Sequence, residues 1–310
     1  MWLFWDMLLA GTLAVCLATA AGFLGRSWWI FDLASHFRAQ YFVLLGVSAI
    51  VFLLERRYAP GILAATFSLV NLGFLLPFYR KRTANSRQGK VYRVLLANVL
   101  RINQSYDLLR QLVRSSNPDL IALVEISQEW MQALAPIRAD YPYEKCVVRS
   151  DDYGLALLSR LPFKGAEVHY FGGSERPSIV ACTELDGRQL TLVTTHPPPP
   201  KSRAEAQARN LQFAEIAEYA AGYDSNLMLM GDFNVTPWSP HFRDLLRDGK
   251  FNDSRVGFGL QPSWPTGIPF LRIPIDHILV SGRFDVHERK LGPKIGSDHF
   301  PVILDFALTD

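Results

Sequence analysis

The reading of this chain turns on Asn226-Leu227-Met228-Leu229-Met230-Gly231-Asp232-Phe233-Asn234. Residues 226–230 form a short apolar run of the kind that becomes a buried strand. Asp232 and Asn234 follow two residues apart, where a sheet edge presents side chains to a cleft. Five further runs rich in Val, Ile, Leu and Thr, at 91–99, 120–126, 154–159, 179–185 and 190–195, share the pattern. Helical segments lie between some of them. Residues 106–114 repeat Leu108, Leu109, Leu112 and Val113 at helical spacing, and 203–221 run without Gly or Pro until Gly222. Several strands follow one another with only turns between. The pattern predicts an α/β fold with mixed sheets and helices packed outside two of them.

The first 89 residues differ. They hold eight Lys/Arg against three Asp/Glu, which leaves 24 against 26 in the remainder, so the net +3 of the chain belongs to this segment. From 7 to 24 the only polar side chains are Thr12, Cys16 and Thr19, close to the roughly 20 apolar residues that cross a bilayer. Runs at 41–54 and 62–78 follow, the former short enough to be re-entrant, so two to three transmembrane helices are expected. No basic stretch precedes the first run and Asp6 stands near it, which argues against a cleaved signal peptide. Trp28 and Trp29 beside Arg26 fit an interfacial belt. The expected organisation is a membrane segment at 1–80, a basic linker at 81–90 and a catalytic domain at 91–310. Arg80, Lys81, Arg82, Arg87, Lys90 and Arg93 crowd the exit of the last span, which by the positive-inside tendency puts a multi-pass protein in the cell membrane with that domain in the cytoplasm. With 49% apolar residues and three cysteines, the chain is neither disordered nor a disulfide scaffold. Whether Cys146 and Cys182 pair stays open.

Polar residues gather at the ends of the apolar runs: Asn98, Glu125, His196, Asp232 and Asn234, Asp276 and His277, Asp298 and His299. Singly, each is an ordinary cap or turn residue. Glu125, flanked by Val124 and Ile126, is costly to bury without a cation or partner. Carboxylates, amides and histidines with no cysteine among them suit Mg²⁺, with Mn²⁺ as the second choice, rather than zinc. Phosphodiester hydrolysis needs such a set: charge neutralisation on the phosphoryl oxygens, a positioned water and help for the leaving oxygen. His36, His169, His241 and His287 read as structural. His277 points away from the site if Asp276 points in, since strand neighbours face opposite sides.

In that order, Asn98, Leu-Val-Glu125-Ile, Gly154-Leu-Ala-Leu-Leu-Ser-Arg160, Thr195-His196, Gly231-Asp232-Phe-Asn234, Ile275-Asp276-His-Ile-Leu and Ser297-Asp298-His299 resemble the endonuclease/exonuclease/phosphatase superfamily, the deoxyribonuclease I-like proteins. The resemblance runs over residues 91–310, and the N-terminal segment looks like that of bacterial membrane-anchored members. It implies a four-layered α/β sandwich with a metal-dependent site at one sheet edge. Glu125 would be the principal Mg²⁺ ligand, with Asn98 beside it holding the metal or a phosphate oxygen and Asp298 adding a metal contact. Asp232 would orient or deprotonate the attacking water, helped by Asn234. His299 would donate to a phosphate oxygen with Asp276 fixing its tautomer, and His196 would be a second donor. Arg176 resembles a phosphate-contacting arginine. Trp264 receives no role, and the four prolines at 197–200 depart from the family pattern and stiffen one wall of the cleft.

The expected function is a membrane-anchored, divalent-metal-dependent phosphodiesterase of the type most often labelled endonuclease or exonuclease. Its partners would be the bilayer and a nucleic-acid or phospholipid phosphodiester, with no protein partner inferable. A sphingomyelinase-like phospholipid phosphodiesterase or a phosphatase is the alternative. A catalytically inactive membrane scaffold is the remote one, since none of Glu125, Asp232, Asn234 and His299 is missing.

Overall fold

The computed structural model describes residues 2–80, 89–223 and 226–309. It opens with four helices, α1 (Trp2–Ala21), α2 (Trp29–Ala34), α3 (Arg38–Leu54) and α4 (Tyr58–Leu75). Three segments are long and apolar enough to cross a membrane: Leu3–Leu24, Trp29–Leu54 and Tyr58–Tyr79. The second is longer than its 41–54 core because α2 and a 3₁₀ turn over Ser35–Phe37 precede α3. Asp32, Ser35, His36 and Arg38 break the apolar pattern there, yet all four are buried. Arg38 reaches the Thr19 carbonyl and the Asn71 side chain, and Asn71 donates to the Thr19 hydroxyl at 3.0 Å, so one polar knot ties three helices together. The outer faces expose apolar side chains such as Leu17, Leu54 and Leu69. The basic stretch expected at 81–90 lies, apart from Gly89 and Lys90, outside the described residues.

The remaining chain contributes β1 (Tyr92–Asn98), α5 (Tyr106–Ser116), β2 (Leu120–Val124), α6 (Gln128–Ala133), α7 (Ala135–Arg138), β3 (Tyr143–Val147), β4 (Leu155–Ser159), β5 (Phe163–His169), β6 (Ser178–Leu185), β7 (Arg188–Thr195), α8 (Arg203–Ala221), β8 (Asn226–Asp232), α9 (Pro240–Asp248), β9 (Asn252–Asp253), β10 (Asp276–Ser281), β11 (Phe284–Leu291) and β12 (Val302–Leu308). Two six-stranded mixed sheets result, ordered β11-β12-β1-β2-β4-β3 and β5-β6-β7-β8-β10-β9. Among the described residues, β1–β2 and β7–β8 are the parallel pairs, each joined through a helix, α5 or α8, as a parallel pair requires.

Strand alternation builds the layers. Val94 and Leu96 of β1 and Met228 and Met230 of β8 face the core between the sheets. Leu95 and Ala97 face α5 and α6, while Leu227 and Leu229 face α8 and α9. Both faces of the central strands are therefore buried, which is why they read as continuous apolar runs. This is the four-layered sandwich, helices outside and two sheets within. Cys146 and Cys182 lie on different sheets and are free.

The N-terminal helices pack on this body through one end. Asp32 of α2 accepts from Arg209 of α8 at 2.7 Å and from Ser239 at 2.6 Å. Arg26 pairs with Asp244. The Phe78 carbonyl, just beyond α4, accepts from the backbone N–H groups of Gly257 and Gly259, satisfying an acceptor that a helix end leaves open. Leu75, Phe78 and Trp238 close a small shared core.

Candidate active site

Backbone geometry brings the strand ends together. Asp276, the first residue of β10, is in register opposite Asp232, the last of β8. Gly231, at φ +158°, lets β8 pass so close to β7 that a Cβ there would lie 1.8 Å from the Thr195 carbonyl oxygen. Just past β2, Glu125 takes φ +64°, and Asn234 takes φ +51°. The left-handed region is tolerated by Asn but unusual for Glu, a departure often found where a side chain must be aimed.

Asp232 is the hub. Its Oδ1 accepts the Asn234 backbone N–H at 2.9 Å; its Oδ2 accepts Asn98 Nδ2–H at 3.2 Å and lies 3.5 Å from Nε2 of both His196 and His299. Asp276 Oδ2 accepts Nδ1–H of His299 at 2.8 Å. His196 donates through Nδ1 to the Asp152 carbonyl, which leaves Nε2 toward Asp232 and Asn234. Burial opposes charge on His299, yet Asp276 and Asp232 beside it push its pKa up to about 10. Burial likewise opposes charge on His196, and Asp232 again prevails, so its pKa stands above the usual histidine value. The Asp232 carboxyl, which burial alone would push up, is held below the usual range by His299 and His196. The arrangement is a buried carboxylate with a histidine ring nitrogen 3.5 Å away on either side.

Glu125 accepts from Asn98 Nδ2 at 2.9 Å and from the Arg101 backbone N–H at 3.1 Å. Asn98 thus bridges Glu125 and Asp232 through its N–H, while its carbonyl oxygen, expected on a metal, takes the Leu100 backbone N–H. Asp298 stands at the rim, where its Oδ2 accepts the Trp264 indole N–H at 2.9 Å. The described residues include one Asp/His group whose ligand atoms all lie within 4.8 Å of one another and could hold a metal: Asp232, Asp276 and His299. None of the three ligands expected from sequence belongs to it. Arg176 lies over the ring of Tyr153 at 4.6 Å, with its Nε buried and unpartnered. His277 is turned away, bonded to the Val235 carbonyl and to Arg255.

Glu125, His196, Asp232, Asn234, Asp298 and His299 line a cleft of about 430 Å³. Trp264, left without a role by the sequence, lines it, as do Leu33, His36 and Phe37 from the N-terminal segment. The signal for the latter was the cluster of ionisable residues interrupting an otherwise apolar run.

Residues 83–299 match the family model described as Endonuclease/Exonuclease/phosphatase family. Phospholipase C of Staphylococcus aureus is 23% identical over 181 residues, 47% of this chain and 55% of that protein. The chain spans about half the length of the curated relatives it matches. Among solved structures, D. rerio TDP2 complexed with single-strand DNA product superposes with a TM-score of 0.59 at 17% identity, over 70% of this chain and 99% of that one. Sphingomyelinase C from Streptomyces griseocarneus gives 0.53 at 18% identity, over 70% and 99%. Likenesses at this identity establish the fold.

Proposed function

The chain belongs to the Endonuclease/Exonuclease/phosphatase family, and from that premise we propose that it is a divalent-metal-dependent phosphodiesterase held in the cell membrane by its three apolar helices, with its catalytic part on the cytoplasmic side. The observation that carries the reading is the convergence of Asp232, His196 and the Asp276–His299 pair at one end of the sandwich. The basic residues after the last span, Arg80 to Arg93, support the orientation.

The donor set fits a hard divalent cation. Glu125 and Asp232 both accept from the neutral NH₂ of Asn98, and the buried Oδ1 of Asp276 has no hydrogen-bond partner. Because Asp276 and His299 are bonded to each other, Glu125 is the ligand we assign, with Asn98 and Asp298 beside it. Such an ion supplies charge neutralisation on the phosphoryl oxygens and on the leaving oxygen. Asp232 orients the attacking water and takes its proton. Asn234 is placed beside that water, with its side-chain amide anchored to the Pro197 carbonyl. His299 donates through Nε2 to a phosphoryl oxygen while Asp276 holds the other nitrogen, and His196 gives a second donor.

The test uses the full-length protein in detergent micelles with bis(p-nitrophenyl) phosphate. Hydrolysis with Mg²⁺ or Mn²⁺, abolished by EDTA and reduced about 10²–10³-fold or more by Asp232→Asn, is expected by analogy with loss of one preorganised transition-state contact. Folded protein that leaves the ester intact with either metal would overturn the proposal.

A further inference from the structure

We propose that the N-terminal segment is part of the catalytic centre, supplying a wall of the cleft that receives the phosphodiester headgroup of an amphiphile still seated in the bilayer. The inference rests on the phosphodiesterase reading and names the substrate class for that site.

Leu33, His36 and Phe37 border the same cleft as Asp232 and His299. They sit on α2 and the turn before α3, within the segment Trp29–Leu54 that is apolar enough to cross a membrane. His36 sits in the turn Ser35–Phe37 between α2 and α3, so the cleft borders one end of the apolar span. A headgroup reaches such a place with its tails still in the hydrocarbon. Leu33 and Phe37 are half-buried and offer apolar surface to the part of the substrate next to its phosphate.

The wall is fixed rather than loosely tethered. Besides the Asp32–Arg209 pair, His36 Nδ1 meets Thr236 twice, through the hydroxyl at 2.9 Å and the backbone N–H at 3.2 Å. Thr236 lies in the loop that follows Asp232 and carries Asn234. Since Nδ1 accepts that N–H, the ring proton of neutral His36 is on Nε2. Nε2 is buried with no hydrogen-bond partner, on a residue 4% exposed. A buried donor without a partner is costly, and a polar headgroup in the cleft relieves that cost.

A second apolar feature stands close by. Gln40 of α3 donates to the Arg272 carbonyl at 2.9 Å. The segment just before Arg272, residues 268–271, exposes Ile268, Phe270 and Leu271, with Phe270 at 75%. These side chains therefore project from the catalytic body beside the start of α3, where they meet the same apolar layer.

The experiment reconstitutes full-length protein into nanodiscs of phosphatidylcholine, phosphatidylglycerol and sphingomyelin and follows headgroup release. The same preparation is assayed on bis(p-nitrophenyl) phosphate and on supercoiled plasmid. Headgroup release by the wild type is expected, with Leu33→Ala and Phe37→Ala each lowering the ratio of lipid to soluble-ester turnover about tenfold and the apolar Phe37→Leu restoring most of it. Three results would each overturn the inference: soluble-ester cleavage without headgroup release, plasmid nicking in its place, or variants that lower both turnovers in proportion. Wild-type protein that cleaves none of the three would sink the phosphodiesterase reading as well.

Discussion

Replacing Asp32 with alanine tests how tightly the N-terminal helices are joined to the catalytic body. Asp32 and Arg209 are 1% and 0% exposed, and their atoms approach to 2.7 Å. Removing one partner of a buried pair costs about 3–5 kcal/mol, because the other charge remains in place without its counterion. Arg209 keeps its bonds to the Asn210 side chain and the Asn234 carbonyl, which places the loss near the lower end, about 3 kcal/mol. The Ser239 hydroxyl also loses its acceptor, for about 1 kcal/mol more. A loss of about 4 kcal/mol corresponds to roughly 8–16 °C in the melting temperature of a body of this size. Thermal unfolding of the full chain in micelles, followed by tryptophan fluorescence, reads this directly. Replacing both partners, Asp32→Ala with Arg209→Met, is expected to recover at least half of the loss. A single variant that melts within about 3 °C of wild type, or a double variant as unstable as the sum of the singles, would refute the reasoning. Because Arg209 also holds the Asn234 carbonyl, Asp32→Ala should lower kcat although residue 32 touches no reacting atom.

Three further outcomes are expected. His299, whose pKa is raised to about 10, binds a proton in the folded state that the unfolded chain has released, so without metal its stabilisation is complete below pH ~6.5 and is lost as pH rises through 10; melting in EDTA across that range should fall with pH, and His299→Gln should flatten the slope. Gly231→Ala sets a methyl 1.8 Å from the Thr195 carbonyl oxygen and should cost about 3 kcal/mol or more with loss of activity; Gly165→Ala, which meets nothing within 4 Å, should melt within about 2 °C of wild type. Trp264→Phe removes the indole N–H that Asp298 accepts and should raise KM for a phosphodiester more than it lowers kcat, checked by steady-state kinetics.

The six runs read as strands became β1, β2, β4, β6, β7 and β8, while β12, buried along its whole length, was not among them. β1, β2, β4 and β8 are continuous apolar runs because each side chain has a hydrophobic neighbour. Edge strands β3 and β5 were not predicted; Tyr143-Glu144-Lys145 and Lys164-Gly165 face solvent, and edge pairing leaves no apolar periodicity to read. α8 ends at Ala221 as read, since Gly222 follows a long stretch of helix formers. In the site, Asp232, Asp276, His196 and His299 were each named from the end of an apolar run, and the structure brings all four into one cluster of close contacts. What a linear reading could not give was the orientation of an amide: whether Asn98 turns its oxygen or its nitrogen toward Glu125 depends on the Leu100 N–H. Nor could it show that a break in an apolar run near residue 36 would meet a loop near residue 236, because nothing local encodes that approach.

The pairing of His36 with Thr236 spans 200 residues of chain, and that separation has a meaning in time. Translation at about 5–20 residues per second sets roughly 10–40 s between the two ends of the contact. The apolar helices leave the ribosome first, with Asp32 still 177 residues ahead of the arginine that will neutralise it. During synthesis, then, the nascent chain has a lone carboxylate at the edge of its first hydrophobic hairpin and no finished site. On the phosphodiesterase reading proposed above, the cluster is complete only once Asp276 and His299 have been added, well after the apolar helices have emerged.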